Sequence, residues 1–179
     1  MTDLGVRYVS LAPQEDGACT IPSPVRLLGL AANRDAQSSI TFPQSPLIDC
    51  PLAERLADWL REAVSPLFRA RLGSSLKAVA TGVGYECRTR NRDPGAKLSA
   101  HGLGLALDIS AFELSDRQRL RIGLTQDPAA EDALDVVRRS ACGWFTTVLG
   151  PGSPDALHEN HLHLDLQQHG SGAGYRICQ

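Results

Sequence analysis

The chain has 179 residues, with 18 Lys and Arg against 20 Asp and Glu and a formal net charge of −2. That length suits one globular domain with a real core, and no apolar run approaches the ~20 residues that span a bilayer, so no transmembrane segment is expected. The two signs of charge are interspersed, which leaves no electrostatic footprint for a polyanion and makes nucleic acid an unexpected partner.

The first stretch, residues 1–50, contains Pro13, Pro22, Pro24, Pro43 and Pro46 and no sustained period. It reads as an irregular N-terminal arm packed on a core domain over 51–179, with Cys19 and Cys50 placed to pin it. Past Pro51, the residues Leu52, Leu56, Trp59, Leu60, Ala63 and Val64 share one helical stripe, which predicts an amphipathic helix opened by Pro51 and closed by Pro66. LKAVATG, residues 76–82, predicts a strand that ends in glycines and releases the chain into the polar loop GYECRTRNRDPG. Loops at strand ends are where sites are built. A second helix is expected over 129–141, where Ala130, Leu134, Val137 and Ala141 share a face, followed by a strand in FTTVLG that GPGSP closes. No internal repeat and no linker divides the domain.

Five cysteines, Cys19, Cys50, Cys87, Cys142 and Cys178, form no CxxC pair. Wide spacing suits disulfides that tie loops and termini onto a core, with one thiol left over. That usage implies a periplasmic or secreted protein. The opening MTDLGVRYVSL has no basic stretch followed by an apolar core, so it does not read as a signal peptide, and the alternative is a cytosolic chain with reduced cysteines.

Four of the five histidines fall in SAHGLGLALD, residues 99–108, and HENHLHLDL, residues 158–166. In HLHLDL the alternation is strict, with His161, His163 and Asp165 on one face of a strand and Leu162, Leu164 and Leu166 on the other. In LALDIS the residues Leu105, Leu107 and Ile109 take the buried face and Ala106, Asp108 and Ser110 the opposite one. Two such strands side by side bring ligands to a single ion. Two imidazoles and a carboxylate are a common catalytic zinc set that leaves the fourth position to water. The expected metal ligands are His101, Asp108 and His163, with Asp165 as an acceptor for an imidazole N–H. The competing reading of any one histidine on a strand face is a hydrogen-bonded structural residue.

Ser99, His101, Gly104, Ala106 and Asp108 stand in the pattern SxHxxGxAxD, which resembles the zinc D,D-peptidases and murein endopeptidases that share a fold with the hedgehog signalling domain. His158, His161 and His163 form an HxxHxH pattern similar to that of the penicillin-insensitive murein endopeptidases. From CTIPSPVRL through CPLAERLADWL and GYECRTRN to ACGWFTTVLGPG, the chain looks like the bacterial extensin-like C-terminal domain family.

The resemblance implies an α+β fold with a small, mainly antiparallel sheet and helices packed on one side. It implies a zinc-dependent hydrolase of amide bonds in peptidoglycan peptides, with His101, Asp108 and His163 as ligands, His161 as a catalytic imidazole, His158 as its helper, and Arg88, in preference to Arg90, as the oxyanion-stabilising arginine. Related D,D-peptidases place a carboxylate three residues before the last ligand, and here that position is Asn160. An amide cannot take up a proton at neutral pH, so the base is His161 or Glu159, or else the chain is a metal-stabilised, non-catalytic wall-binding or protein-binding module. Ser99 is expected to orient the metal loop and not to act as a nucleophile.

Overall fold

The computed structural model describes residues 5–31, 39–154, 157–171 and 174–179. Among the described residues six strands precede the first helix: β1 (Val6–Ser10), β2 (Gln14–Asp16), β3 (Cys19–Ile21), β4 (Pro24–Ala31), β5 (Ser39–Thr41) and β6 (Leu47–Asp49). These strands fall in the stretch 1–50 that was expected to be an irregular arm, of which residues 1–4 and 32–38 lie outside the described residues. The prolines sit at strand ends, since Pro24 is the first residue of β4 and Pro43 and Pro46 lie between β5 and β6. There a missing N–H removes no bond from the ladder. Val25, Leu27 and Leu30 of β4, Ile40 of β5 and Ile48 of β6 are buried in the same hydrophobic cluster as the helices, so residues on both sides of position 50 share one core.

The first helical region begins as α1 (Cys50–Trp59), widens into a π-helical turn over Leu60–Val64, and continues as α2 (Ser65–Leu72). Pro51 lies in the first turn as expected, but Pro66 does not close the helix. A proline inside a regular α-helix deletes one i→i−4 bond and drives its ring against a carbonyl. Here the wider π turn immediately before it relaxes that demand, and Gly73, at φ 65°, ends the helix instead.

The remaining elements are β7 (Leu76–Thr81), β8 (Ala106–Leu114), β9 (Arg119–Arg121), α3 (Pro128–Ala141), β10 (Thr147–Leu149), β11 (Leu162–Asp165) and β12 (Ile177–Cys178). The main sheet runs β1-β4-β5-β7-β8-β11-β10-β12, with β6 beside β4 and β9 beside β8, while β2 and β3 form a separate hairpin. Its pairs are antiparallel except β5 with β7 and β10 with β12. The fold class is therefore α+β with a mixed, mainly antiparallel sheet. Helices cover one face, where Trp59 of α1 and Phe68 of α2 pack edge-on against Phe112 of β8 at 6.5 and 5.3 Å, and Trp59 meets Phe145 at 5.5 Å. No described helix is long and apolar enough to cross a membrane.

Disulfides join Cys19 to Cys87 and Cys142 to Cys178. Cys50, expected to help pin the N-terminal stretch, is a free thiol at the start of α1. The second bridge ties the terminal strand β12 to the end of α3.

At the start of α3 the Asp127 carboxylate accepts from the Ala130 N–H at 2.9 Å, and Pro128 fills the first helical position. Asp127→Ala leaves that N–H unpaired and is expected to lower stability by about 1 kcal/mol. The check is a reduced urea midpoint with an unchanged slope.

Candidate metal centre

Two adjacent strands supply two of the candidate ligands. β11 pairs with β8 so that His163 lies directly opposite Asp108, while Leu164 opposes Leu107 and Leu162 opposes Ile109 on the core side. Asp108 faces the open side of the sheet because β8 contains a bulge. Its partner β7 pairs Ala80 with Ala111 and Thr81 with Ile109, leaving Ser110 as an extra residue. Before the bulge Leu107 and Ile109 are in the core, and after it Phe112 and Leu114 are. Asp108 and Phe112, which a regular strand would place on one face, thus point to opposite faces.

His101 comes from a tight turn. A single 3₁₀ turn, Ala100–Leu103, is capped by Ser99, whose hydroxyl accepts from the His101 N–H at 3.4 Å. It ends at Gly104, in the left-handed region at φ 65°, where an added Cβ would sit 3.0 Å from the Asp49 nitrogen. Only glycine fits both the backbone angle and the space.

The buried His101 donates from Nδ1 to the Gly84 carbonyl at 2.7 Å, which leaves Nε2 with its lone pair toward the cleft. On its outer nitrogen Nε2, His163 donates to Asp165 Oδ2 at 3.2 Å, and the Asp165 carboxylate is held in turn by the Thr146 hydroxyl and the Gln167 N–H, both at 3.1 Å. His101 Nε2 lies 3.2 Å from His163 Nδ1 and 3.5 Å from Asp108 Oδ1, and His163 Nδ1 lies 3.1 Å from that same oxygen. In a tetrahedral zinc site with bonds of 2.0–2.1 Å, neighbouring ligand atoms sit about 3.3 Å apart. The three atoms converge at the spacing such an ion requires, so this donor set fits zinc in both chemistry and separation.

The other residues expected here separate into two groups. His161 flanks the set, with Nε2 3.8 Å from Asp108 Oδ1, and its Nδ1–H donates to Asn160 Oδ1 at 2.9 Å. The His158 ring lies 5.1 Å from that of His161 and 5.7 Å from that of His163. Arg88 lines the same cleft of about 350 Å³, its guanidinium held by Glu86 at 2.7 Å. Glu159 is not brought there. Its carboxylate accepts from the Gly152 N–H at 3.3 Å and borders a different cavity beside α3. Its backbone packs so tightly on Gly123 that no Cβ would fit.

The cleft also contains residues that strand periodicity did not single out. Arg90 donates to Gln167 at 2.6 Å, and both line the cleft. His169, the fifth histidine, shares a 2.7 Å hydrogen bond with the Thr147 hydroxyl and stacks on Tyr175 at 5.4 Å. Its only signal in the sequence was that it follows the HLHLDL strand so closely.

Charge in the centre is strongly biased. Burial opposes ionisation of Asp108, but the imidazoles of His101 and His163 beside it outweigh burial and hold the carboxyl well below the usual carboxylate range. Burial likewise opposes a charge on His163, yet Asp108 and Asp165 together raise it to about 9. The His161 imidazole moves the other way, lowered by burial and the neighbouring histidines against the pull of Asp108.

Because the folded value of His163 stands above the ~6.5 of an unfolded histidine, its contribution to stability is complete below about pH 6.5 and is lost as pH rises through about 9. Chelator-treated protein should therefore melt at progressively lower temperature between pH 6.5 and 9, and His163→Gln should flatten that slope. An unchanged slope in the variant would assign the pH dependence to another group.

Residues 1–179 match the family described as Extensin-like protein C-terminus. No curated protein and no solved structure matches the chain.

Proposed function

The chain belongs to the Extensin-like protein C-terminus family, and on that premise we propose that it is a zinc-dependent hydrolase of amide bonds in cell-wall peptides, acting in the periplasm or outside the cell. The observation that carries this reading is the convergence of His101 Nε2, Asp108 Oδ1 and His163 Nδ1 within 3.5 Å of one another at the floor of an open cleft. The SxHxxGxAxD pattern of residues 99–108, which resembles the zinc D,D-peptidases, points the same way, and two disulfides favour an oxidising compartment.

Zinc in this donor set would supply a Lewis acid that acidifies water and polarises a carbonyl. The chain's own residues supply the rest. His161 keeps Nε2 unprotonated because its Nδ1–H is committed to the Asn160 carbonyl oxygen. That nitrogen takes a proton from the attacking water while the water oxygen bonds to the scissile carbon. As the C–N bond breaks, the same proton passes from Nε2 to the departing amine. Arg88, steadied by Glu86, offers a guanidinium to the oxyanion that forms between the two steps. Glu159, turned into another cavity, has no part in this scheme.

The second reading, a metal-stabilised wall-binding or protein-binding module without turnover, rests on Asn160, which stands where related peptidases carry a carboxylate. Elemental analysis and peptidoglycan digestion separate the two. Purified protein should hold about one zinc, and His101→Ala or Asp108→Ala should remove it; stoichiometric zinc in both variants would sink the ligand assignment. His161→Ala should keep the metal and lose on the order of 10²–10⁴-fold in turnover. Full zinc occupancy with no released peptide from wall material establishes the binding module instead.

A further inference from the structure

His169 has no part in the scheme above, yet it is nearly buried, at 9% exposure. A buried imidazole needs a hydrogen-bond partner, and its Nε2 lies 2.7 Å from the Thr147 hydroxyl. The ring is also fixed from another side. It stacks on Tyr175 at 5.4 Å, and the His169 carbonyl accepts from the Tyr175 N–H at 3.3 Å. Gly174, at φ 68°, would bring a Cβ within 2.8 Å of that carbonyl oxygen, so only glycine lets the chain close onto His169 here.

Thr147 connects this ring to the centre. β10 pairs with β11 so that Thr147 lies directly opposite Asp165 and Leu149 opposite His163, while Val148 and Leu164 oppose one another in the core. The cleft face therefore carries a row of polar groups from Asp108 through His163 and Asp165 to Thr147. Within it His163 donates from Nε2 to Asp165 Oδ2 at 3.2 Å. Burial works against a charge on Asp165, and the His163 imidazole, the Thr147 hydroxyl and the Gln167 N–H outweigh it.

Protons along this row have one consistent arrangement. An ionised carboxylate only accepts, so the Thr147 hydroxyl serves Asp165 by donating its single proton. With that proton committed, the Thr147 oxygen can only accept from His169, which requires the His169 proton on Nε2. A lone pair on Nε2 would instead draw the hydroxyl proton away from Asp165.

We propose that His169 is a positioning residue for the candidate ligand His163: its Nε2–H keeps the Thr147 hydroxyl turned toward Asp165, and so steadies the carboxylate on which the His163 ring leans. The inference rests on the metal reading of the centre and is independent of turnover. A His169 that merely anchored the segment leading to β12 would affect folding and leave the centre alone.

The test is zinc affinity, measured on the whole chain by competition with a chromophoric chelator. The melting temperature of the chelator-treated protein and the visible spectrum of its cobalt-loaded form are recorded alongside. His169→Phe keeps a ring against Tyr175 and removes the donor; Thr147→Val keeps the branched shape and removes the hydroxyl. Each should weaken zinc binding about tenfold, the lower end of what losing a partner behind a ligand costs, and shift the cobalt bands. The double variant should bind no more weakly than either single one, because the two side chains act in one line. His169→Gln and Thr147→Ser, which keep a donor and a hydroxyl, should recover most of the affinity. If His169→Phe does not fold, the smaller His169→Leu takes its place in the same cycle. Wild-type affinity in the His169 variant, even with a lower melting temperature, overturns the proposal and leaves His169 an anchor, as do losses that add in the double variant. Wild-type protein that takes up no zinc overturns the metal reading and this inference with it.

Discussion

The register of β8 against β11 is the constraint on which the centre depends. Asp108 and His163 are opposed across the two strands, and behind them Leu107 opposes Leu164 and Ile109 opposes Leu162, all four buried. A slip of one residue would turn the apolar side chains into the cleft and drive an imidazole into the core without a partner. Burial on one face of the sheet therefore sets the separation of the Asp108 and His163 side chains on the other. The two strands need no rigidity of their own, because register admits only steps that are ruinous.

The third candidate ligand, His101, has no strand to hold it, and the N-terminal strands take over that task. The Asp49 N–H at the end of β6 donates to the Gly104 carbonyl at 2.8 Å, and the Asp49 carboxylate accepts from the Ser23 N–H at 2.9 Å. Gly102 lies so close to Cys19 that an added Cβ would be 3.0 Å from the sulfur, and Cys19 is bridged to Cys87 in the loop that carries Arg88. The His101 turn is thus clamped between the β3–β6 region and the arginine loop. Residues that looked like packaging around a core domain form the wall against which the His101 side chain is placed.

Much of this was legible from alternation alone. HLHLDL and LALDIS each carry apolar residues on one parity and polar ones on the other, and that pattern is enough to predict two strands sharing a polar face. The bulge at Ser110 was not legible, because LALDISAFEL is apolar on both parities once Phe112 is reached, and a one-residue shift in pairing leaves no mark in composition. The short N-terminal strands escaped for a related reason: three residues of β3 or β5 carry no period, and prolines at strand ends look like prolines in a coil. Glu159 and His161 are two positions apart yet face different cavities, since the turn at Glu159 and Asn160 interrupts the alternation that begins at Leu162. Cysteine pairing depends on distances that no spacing encodes.

The three imidazoles at the centre differ in what holds their far nitrogen, and that difference bears on Asn160. His163 leans on a carboxylate, Asp165, which makes its ring more basic, whereas His101 and His161 lean on neutral oxygens of Gly84 and Asn160. A carboxylate at position 160 would pull His161 toward its protonated form and close its Nε2 to a further proton. The amide fixes the same tautomer without that pull, and burial then keeps the imidazole's affinity for protons below its ordinary value. A residue that cannot itself accept a proton is in this arrangement the one that leaves its neighbour able to. On the proposed hydrolase reading, an amide at position 160 therefore argues less against hydrolysis than for His161 as the base.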